Sequence, residues 1–225
     1  MQSRYRLVCF DLDGTLTDSG PGIIGCVRKT IAHMGCPELS ADTLRRFIGP
    51  PTWNSFRTFC HLSPERAQEA VDYYRVLYRE GGVFENSVYG GIPELLDTLR
   101  GTGTVLAVAT SKPRSMADVV LEHFGLAEKF DHVAAAGESD RDSDKEQAIR
   151  AVLAESGIPP EEAVMIGDTK YDAAGARGAG VDFVGVLYGF GTEEEMRGEG
   201  AAVFARTVQD LYGKKLLDKR RTAAV

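Results

Sequence analysis

Apolar and polar residues are arranged along this chain in two regimes. Between Ser19 and about Gly82 only the helical period recurs: Ile24, Val27 and Ile31 share a face, and Ser40 reads as an N-cap. Ala67, Ala70, Val71, Tyr74 and Tyr78 then repeat at helical spacing after Ser63-Pro64-Glu65, where serine can cap and proline suits the first turn. From about Tyr89 onward helix-like and strand-like runs alternate. Ile92, Leu95, Leu96 and Leu99 mark a helix before a strand at 104–109, and Met116, Val119 and Val120 mark another before a short strand near 132–135. Ile149, Val152 and Leu153 precede a strand at 163–166, and Phe183-Val184-Gly185-Val186 is the last clear strand. Leu7-Val8-Cys9-Phe10 supplies one more strand ahead of the helical stretch.

Alternation of this kind predicts right-handed crossovers and a parallel sheet covered by helices on both faces. Ligands of such sheets bind at the carboxyl ends of the strands. The helical stretch is then an insertion after the first strand, with hinges near residues 17–20 and 83–91. The expected organisation is an α/β core of residues 1–18 and 86–225 carrying an all-helical block of residues 19–85.

The first strand runs straight into Asp11-Leu12-Asp13-Gly14-Thr15. Gly14 lets the chain turn so that both acids can face one small space. Paired carboxylates there can hold a hard cation such as magnesium. One could also attack phosphorus while the other handles a proton.

Phe10-Asp11-Leu12-Asp13-Gly14-Thr15-Leu16-Thr17-Asp18-Ser19 resembles the first signature of the haloacid dehalogenase superfamily. Three further motifs must then follow in order, and all are present. Thr110-Ser111-Lys112-Pro113 is similar to the phosphate-binding second motif, Lys145 to the third motif's lysine, and Gly167-Asp168-Thr169-Lys170-Tyr171-Asp172 to the acidic fourth motif. The resemblance covers almost the whole chain. It implies a Rossmann-like core with the helical block as a cap, and a magnesium-dependent phosphatase acting through an aspartyl phosphate. In that reading Asp11 is the nucleophile and Asp13 the acid and base. Thr110, Ser111 and Lys145 bind phosphate, while Asp11, Asp168 and the backbone carbonyl of Asp13 hold the metal with Asp172 in support.

The same comparison separates subclasses. Dehalogenases of the superfamily lack the second acid, because a halide needs no proton, and Asp13 therefore favours phosphoryl chemistry. Phosphonate-cleaving relatives carry a cap lysine, which the segment Ile48-Gly49-Pro50-Pro51-Thr52-Trp53-Asn54-Ser55 lacks; Lys29 reads as a surface residue. Phe47-Ile48-Gly49-Pro50-Pro51 and Tyr188-Gly189-Phe190-Gly191-Thr192 resemble segments of phosphoglycolate phosphatase-like proteins, some of them acting on nucleotides. Either string could also be only a rigid turn. The expected substrate is thus a small phosphomonoester, phosphoglycolate-like or a nucleotide monophosphate. A sugar phosphomutase and a catalytically silent binding module are the alternatives.

Composition adds limits. The 225 residues, 43% hydrophobic and 26% charged, are those of a globular protein able to bury a substantial core. A net charge of −7 argues against a nucleic-acid partner. The basic cluster Lys214, Lys215, Lys219, Arg220 and Arg221 reads as a solvated end, and Glu138 to Asp144 as a charged loop. Cys9, Cys26, Cys36 and Cys60 have no paired spacing and suggest reduced thiols in the cytoplasm. No membrane span or signal-peptide core is expected, and oligomeric state is open. His33, His61, His123 and His132 lack metal-ligand spacing. Trp53, Tyr73 and Tyr74 are expected mainly in the core, and Glu193 to Glu195 in a helix's first turn.

Overall fold

The structure is a computed structural model describing residues 4–137 and 144–212. The charged loop from residue 138 to 143 and the basic cluster from 214 to 221 lie outside the described residues. Strand β1 (Leu7–Phe10) lies at the centre of a six-stranded sheet, flanked by β4 (Val105–Pro113) and β6 (Ala163–Gly167). Every residue of β1 is fully buried, as a strand covered on both faces requires. The sheet order is β5-β4-β1-β6-β7-β8, with β5 spanning His132–Ala136, β7 Asp182–Val186 and β8 Phe204–Ala205, and every pairing is parallel.

Alternate side chains divide between two faces. Leu7 and Cys9 pack with Ile149 and Val152 of α7 (Lys145–Ser156) and Ala176 of α8 (Lys170–Ala179). Val8 and Phe10 pack on the other face with α5 (Ile92–Gly101) and α6 (Arg114–His123), in an apolar cluster continuous with the helical block. The buried face of α6 is Met116, Ala117, Val120 and Leu121; Val119 is 37% exposed, because it lies off that stripe.

The inserted block contains α1 (Gly20–His33), α2 (Ala41–Arg45), α3 (Thr52–Phe59) and α4 (Pro64–Glu80). Ser40 and Ser63 cap α2 and α4, accepting from the amides of Thr43 and Arg66 at 3.2 and 3.3 Å. Ala67, Ala70, Val71, Tyr74 and Tyr78 are the buried face of α4, as their spacing predicts. Two short strands escape periodicity altogether: β2 (Thr17–Asp18) and β3 (Ser87–Val88) pair antiparallel where the chain leaves and re-enters the core. Strand β8 and this ribbon are each too short for an alternating pattern to register.

Candidate functional site

The end of β1 sets the first side chain. Asp11 continues the sheet ladder through its amide, which donates to the Ile166 carbonyl at 2.9 Å, so its carboxylate emerges at the strand tip. The chain then turns tightly: the amides of Leu16 and Thr17 both reach the Leu12 carbonyl at 3.0 Å. Gly14 sits at φ 89°, a left-handed conformation natural only to glycine. A methyl group there would overlap the Asp168 carboxylate, so the turn doubles as a wall of the site.

Strand β4 runs on past residue 109 to Pro113, with a break in register between Thr110 and Pro113. This irregular tail brings Thr110, Ser111 and Lys112 to the cavity beside Asp11 and Asp13. The Thr110 hydroxyl oxygen accepts the Lys112 amide at 3.2 Å, leaving the hydroxyl proton to donate elsewhere. Lys145 opens α7, whose N-terminus Asp144 caps by accepting the Glu146 amide at 2.9 Å. Asp168 follows β6 directly, and Asp172 lies in the first turn of α8.

These elements converge on one buried cluster. The Lys145 ammonium donates to Asp11 Oδ1 at 2.6 Å and to the Ala109 carbonyl at 3.1 Å, and stands 2.8 Å from Asp172 Oδ1. Burial alone would lower the lysine's pKa, but Asp11 and Asp172 outweigh it and hold the group above its ordinary value. Burial pushes Asp11 up to about 6; Lys145 opposes that, and the charges of Asp172 and Asp13 add to it. Asp168 lies well above the carboxylate range through burial, then Asp172 and Asp11, despite donors from the Phe190 amide at 2.8 Å and the Thr15 hydroxyl at 3.0 Å. Asp172 has Oδ2 held by the Thr169 amide at 3.0 Å and hydroxyl at 2.7 Å.

Asp11, Asp168 and Asp172 each bring a carboxylate oxygen within 4.8 Å of the others. Three buried acids face one buried ammonium, an excess of negative charge at hard oxygen donors, and this donor set fits a small divalent cation. Segment 188–192 encloses it. Methyl groups at Gly189 or Gly191 would overlap Asp168, and the Tyr188 hydroxyl donates to the Thr15 carbonyl at 3.1 Å. The string marked in the sequence is therefore a wall built around one acid.

Asp13 accepts both its bonds from Lys112 and lines the space between core and helical block. A cavity of about 70 Å³ opens there, between Asp11, Asp13, Thr110 and Ser111 of the core and Gly49 to Thr52, Tyr74, Arg75 and Tyr78 of the block. Segment 48–55 divides in two: Gly49 to Thr52 line this cavity, while Asn54 and Ser55 line a second cleft of about 620 Å³ beside Thr169 and Phe190. Tyr74 serves both core and cavity. Among the described residues no histidine joins a metal-binding group: His33 stacks on Tyr73 and His132 pairs with Glu155. Lys29 is exposed on α1, and all four cysteines are free thiols. No helix among the described residues is long and apolar enough to cross a membrane.

Three site residues escaped sequence reasoning: Lys112, Tyr78 and Arg75. Lys112 lay inside the second motif's string, but its partner is 99 positions away in sequence. Tyr78 read only as helix periodicity, and Arg75, off the apolar face of α4, gave no signal.

Residues 8–186 match the sequence profile of the haloacid dehalogenase-like hydrolases. A 5'-nucleotidase of Pseudomonas aeruginosa is 42% identical over 194 residues, 86% of this chain and 88% of that protein. The tyrosine-protein kinase PtkA of Mycobacterium tuberculosis is 39% identical over 186 residues; these are 83% of this chain but 63% of PtkA. The crystal structure of a predicted phosphatase from Clostridium acetobutylicum superposes with a TM-score of 0.87 at 40% identity, covering 92% of this chain and 96% of that one.

Proposed function

The chain belongs to the haloacid dehalogenase-like hydrolases and is a phosphoric monoester hydrolase; from that premise we propose that it is a magnesium-dependent phosphatase of small phosphomonoesters working through an aspartyl phosphate on Asp11. The observation that carries this reading is the pairing of Asp11 with Lys145 in a cluster of buried acids, beside a cavity that Asp11 and Asp13 both line.

A phosphomonoester dianion repels an attacking carboxylate, so the phosphoryl charge must be offset. Lys145 supplies one positive charge and, through its 2.6 Å bond to Oδ1, fixes the rotamer of Asp11 so that the other oxygen is the one to attack. Thr110 and Ser111 donate to phosphoryl oxygens. Asp11, Asp168 and the Asp13 carbonyl would hold magnesium, and Asp172, 2.8 Å from the Lys145 ammonium, would steady the cluster. When bound, the cation neutralises phosphoryl charge as it develops. Asp13 gives its proton to the departing ester oxygen as the P–O bond breaks. The same carboxylate then takes a proton from the water that attacks phosphorus and frees Asp11.

Residues 19–85 would act as the cap. The 5'-nucleotidase relative keeps nucleoside monophosphates in the panel. A sugar phosphomutase remains a second reading, since such enzymes share the four motifs.

The test is a panel of phosphoglycolate, nucleoside 5'-monophosphates and glucose 1-phosphate, each with and without magnesium. Inorganic phosphate is followed against isomer formation. Phosphate should accumulate in proportion to substrate consumed, and only with the metal. Rapid isomerisation with little phosphate released would favour the mutase, and no turnover of any ester would leave the binding module.

A further inference from the structure

Lys112 is buried and carries a charge that the mechanism above does not use. Its ammonium donates to both carboxylate oxygens of Asp13, at 3.0 and 2.9 Å, and to the Tyr78 hydroxyl oxygen at 2.8 Å. It also stands 4.6 Å from the centre of the Tyr78 ring. An ammonium has three protons to donate. All three acceptors here are protein atoms, so Lys112 has no donor left for a phosphoryl oxygen. Lys145 is filled in the same way by Asp11, Asp172 and the Ala109 carbonyl, so the two lysines differ in the acid that each holds.

The two ends of this contact belong to different parts of the chain. Lys112 stands on the irregular tail of β4 in the core, and Tyr78 on the last turn of α4 in the helical block. The ammonium itself bridges Tyr78 and Asp13, and Asp13 lines the cavity. We propose that Lys112 is the positioning residue of Asp13, and that Tyr78 makes this positioning conditional on the helical block being seated against the core. The proposal rests on the phosphatase reading.

Geometry gives the reason for the coupling. With α4 in place, the ammonium is fixed from one side by the tyrosine hydroxyl and ring, and its remaining donors hold Asp13 in one orientation toward the cavity. If α4 withdraws, the third donor loses its acceptor and water reaches the pair. The Asp13 side chain then gains rotamers that point away from the ester oxygen. A proton is thus delivered to a departing oxygen only when the cavity is closed, where water does not compete.

Leaving-group dependence tests this. p-Nitrophenolate departs without a proton, whereas an alkoxide needs one as its P–O bond breaks. The ratio of kcat/KM is therefore compared for p-nitrophenyl phosphate and an alkyl phosphate. This constant covers steps up to leaving-group departure and excludes the later attack of water. Lys112→Met should lower the alkyl ester's value by ~100-fold more than the aryl ester's, the weight of a mispositioned general acid. Tyr78→Phe, nearly isosteric and a safeguard should Lys112→Met fold poorly, should show the same selectivity at about fivefold. Equal losses on both esters, with weaker inhibition by inorganic phosphate, would make Lys112 a phosphate ligand and overturn the proposal. A Tyr78→Phe enzyme with an unchanged ratio would remove the coupling to the helical block. Wild-type enzyme inactive on both esters would instead refute the phosphatase reading itself.

Discussion

Replacing Lys145 with methionine removes the only ammonium that the described residues place inside the Asp11, Asp168 and Asp172 cluster, while nearly keeping side-chain length. Both of its carboxylate partners are buried, with side-chain exposures of 7% and 0%. Removing one partner of a buried ion pair costs ~3–5 kcal/mol, mostly from the charge left uncompensated. Against a total stability of ~5–15 kcal/mol the protein still folds. At ~2–4 °C per kcal/mol for a domain of this size, melting should fall by roughly 6–20 °C. The loss must depend on pH in a set direction. Asp11 titrates near 6 with Lys145 present, and losing the lysine raises that value further. In acid the variant's Asp11 is protonated and no longer a buried orphan charge, so the deficit shrinks as pH falls from 8 to 5. The assay is paired thermal melting of wild type and variant across that range, together with phosphate release. A variant melting within about 2 °C of wild type at pH 8 would refute the claim that Lys145 compensates the buried acids.

Asp11→Asn should abolish turnover, a fall of at least ~10³-fold, in a protein that still folds, because the amide is nearly isosteric but no nucleophile; substantial activity in a folded variant would exclude the covalent route. Magnesium at about 100 times its Kd should stabilise the protein by ~2.7 kcal/mol at pH 7.5. That gain should fade below pH about 6, where Asp11 takes up the proton with which the metal competes, and a pH-independent thermal shift would place the ion elsewhere. Gly14→Ala, forced into φ 89° and against Asp168, should lower magnesium affinity by ~10–100-fold while the helical block stays folded, measured by titration and circular dichroism.

The legible part of this fold is the part whose energetics are periodic. Ile92, Leu95, Leu96 and Leu99 are all buried as spaced, and so are the five apolar positions of α4. The acids were legible because Asp11 and Asp168 each follow an apolar strand directly, so chain geometry alone sends them to the same sheet edge. Lys112 was not, since nothing local distinguishes a lysine bound to Asp13 from a solvated one. Val119 shows the opposite failure: an apolar residue one position off the stripe reads as core but faces solvent. The role of segment 188–192 depended on Gly189 and Gly191 touching Asp168, a contact between chain segments that no spacing encodes.

The ribbon of β2 and β3 joins the two places where the chain passes between core and helical block, pairing Thr17 with Val88 and Asp18 with Ser87. The pairing makes the two passages one two-stranded connection. It starts four residues past Asp13, at Thr17, whose carbonyl accepts the Gly14 amide at 2.8 Å. Any movement of the block relative to the core would have to be carried by that connection, which shares one short piece of backbone with the acids.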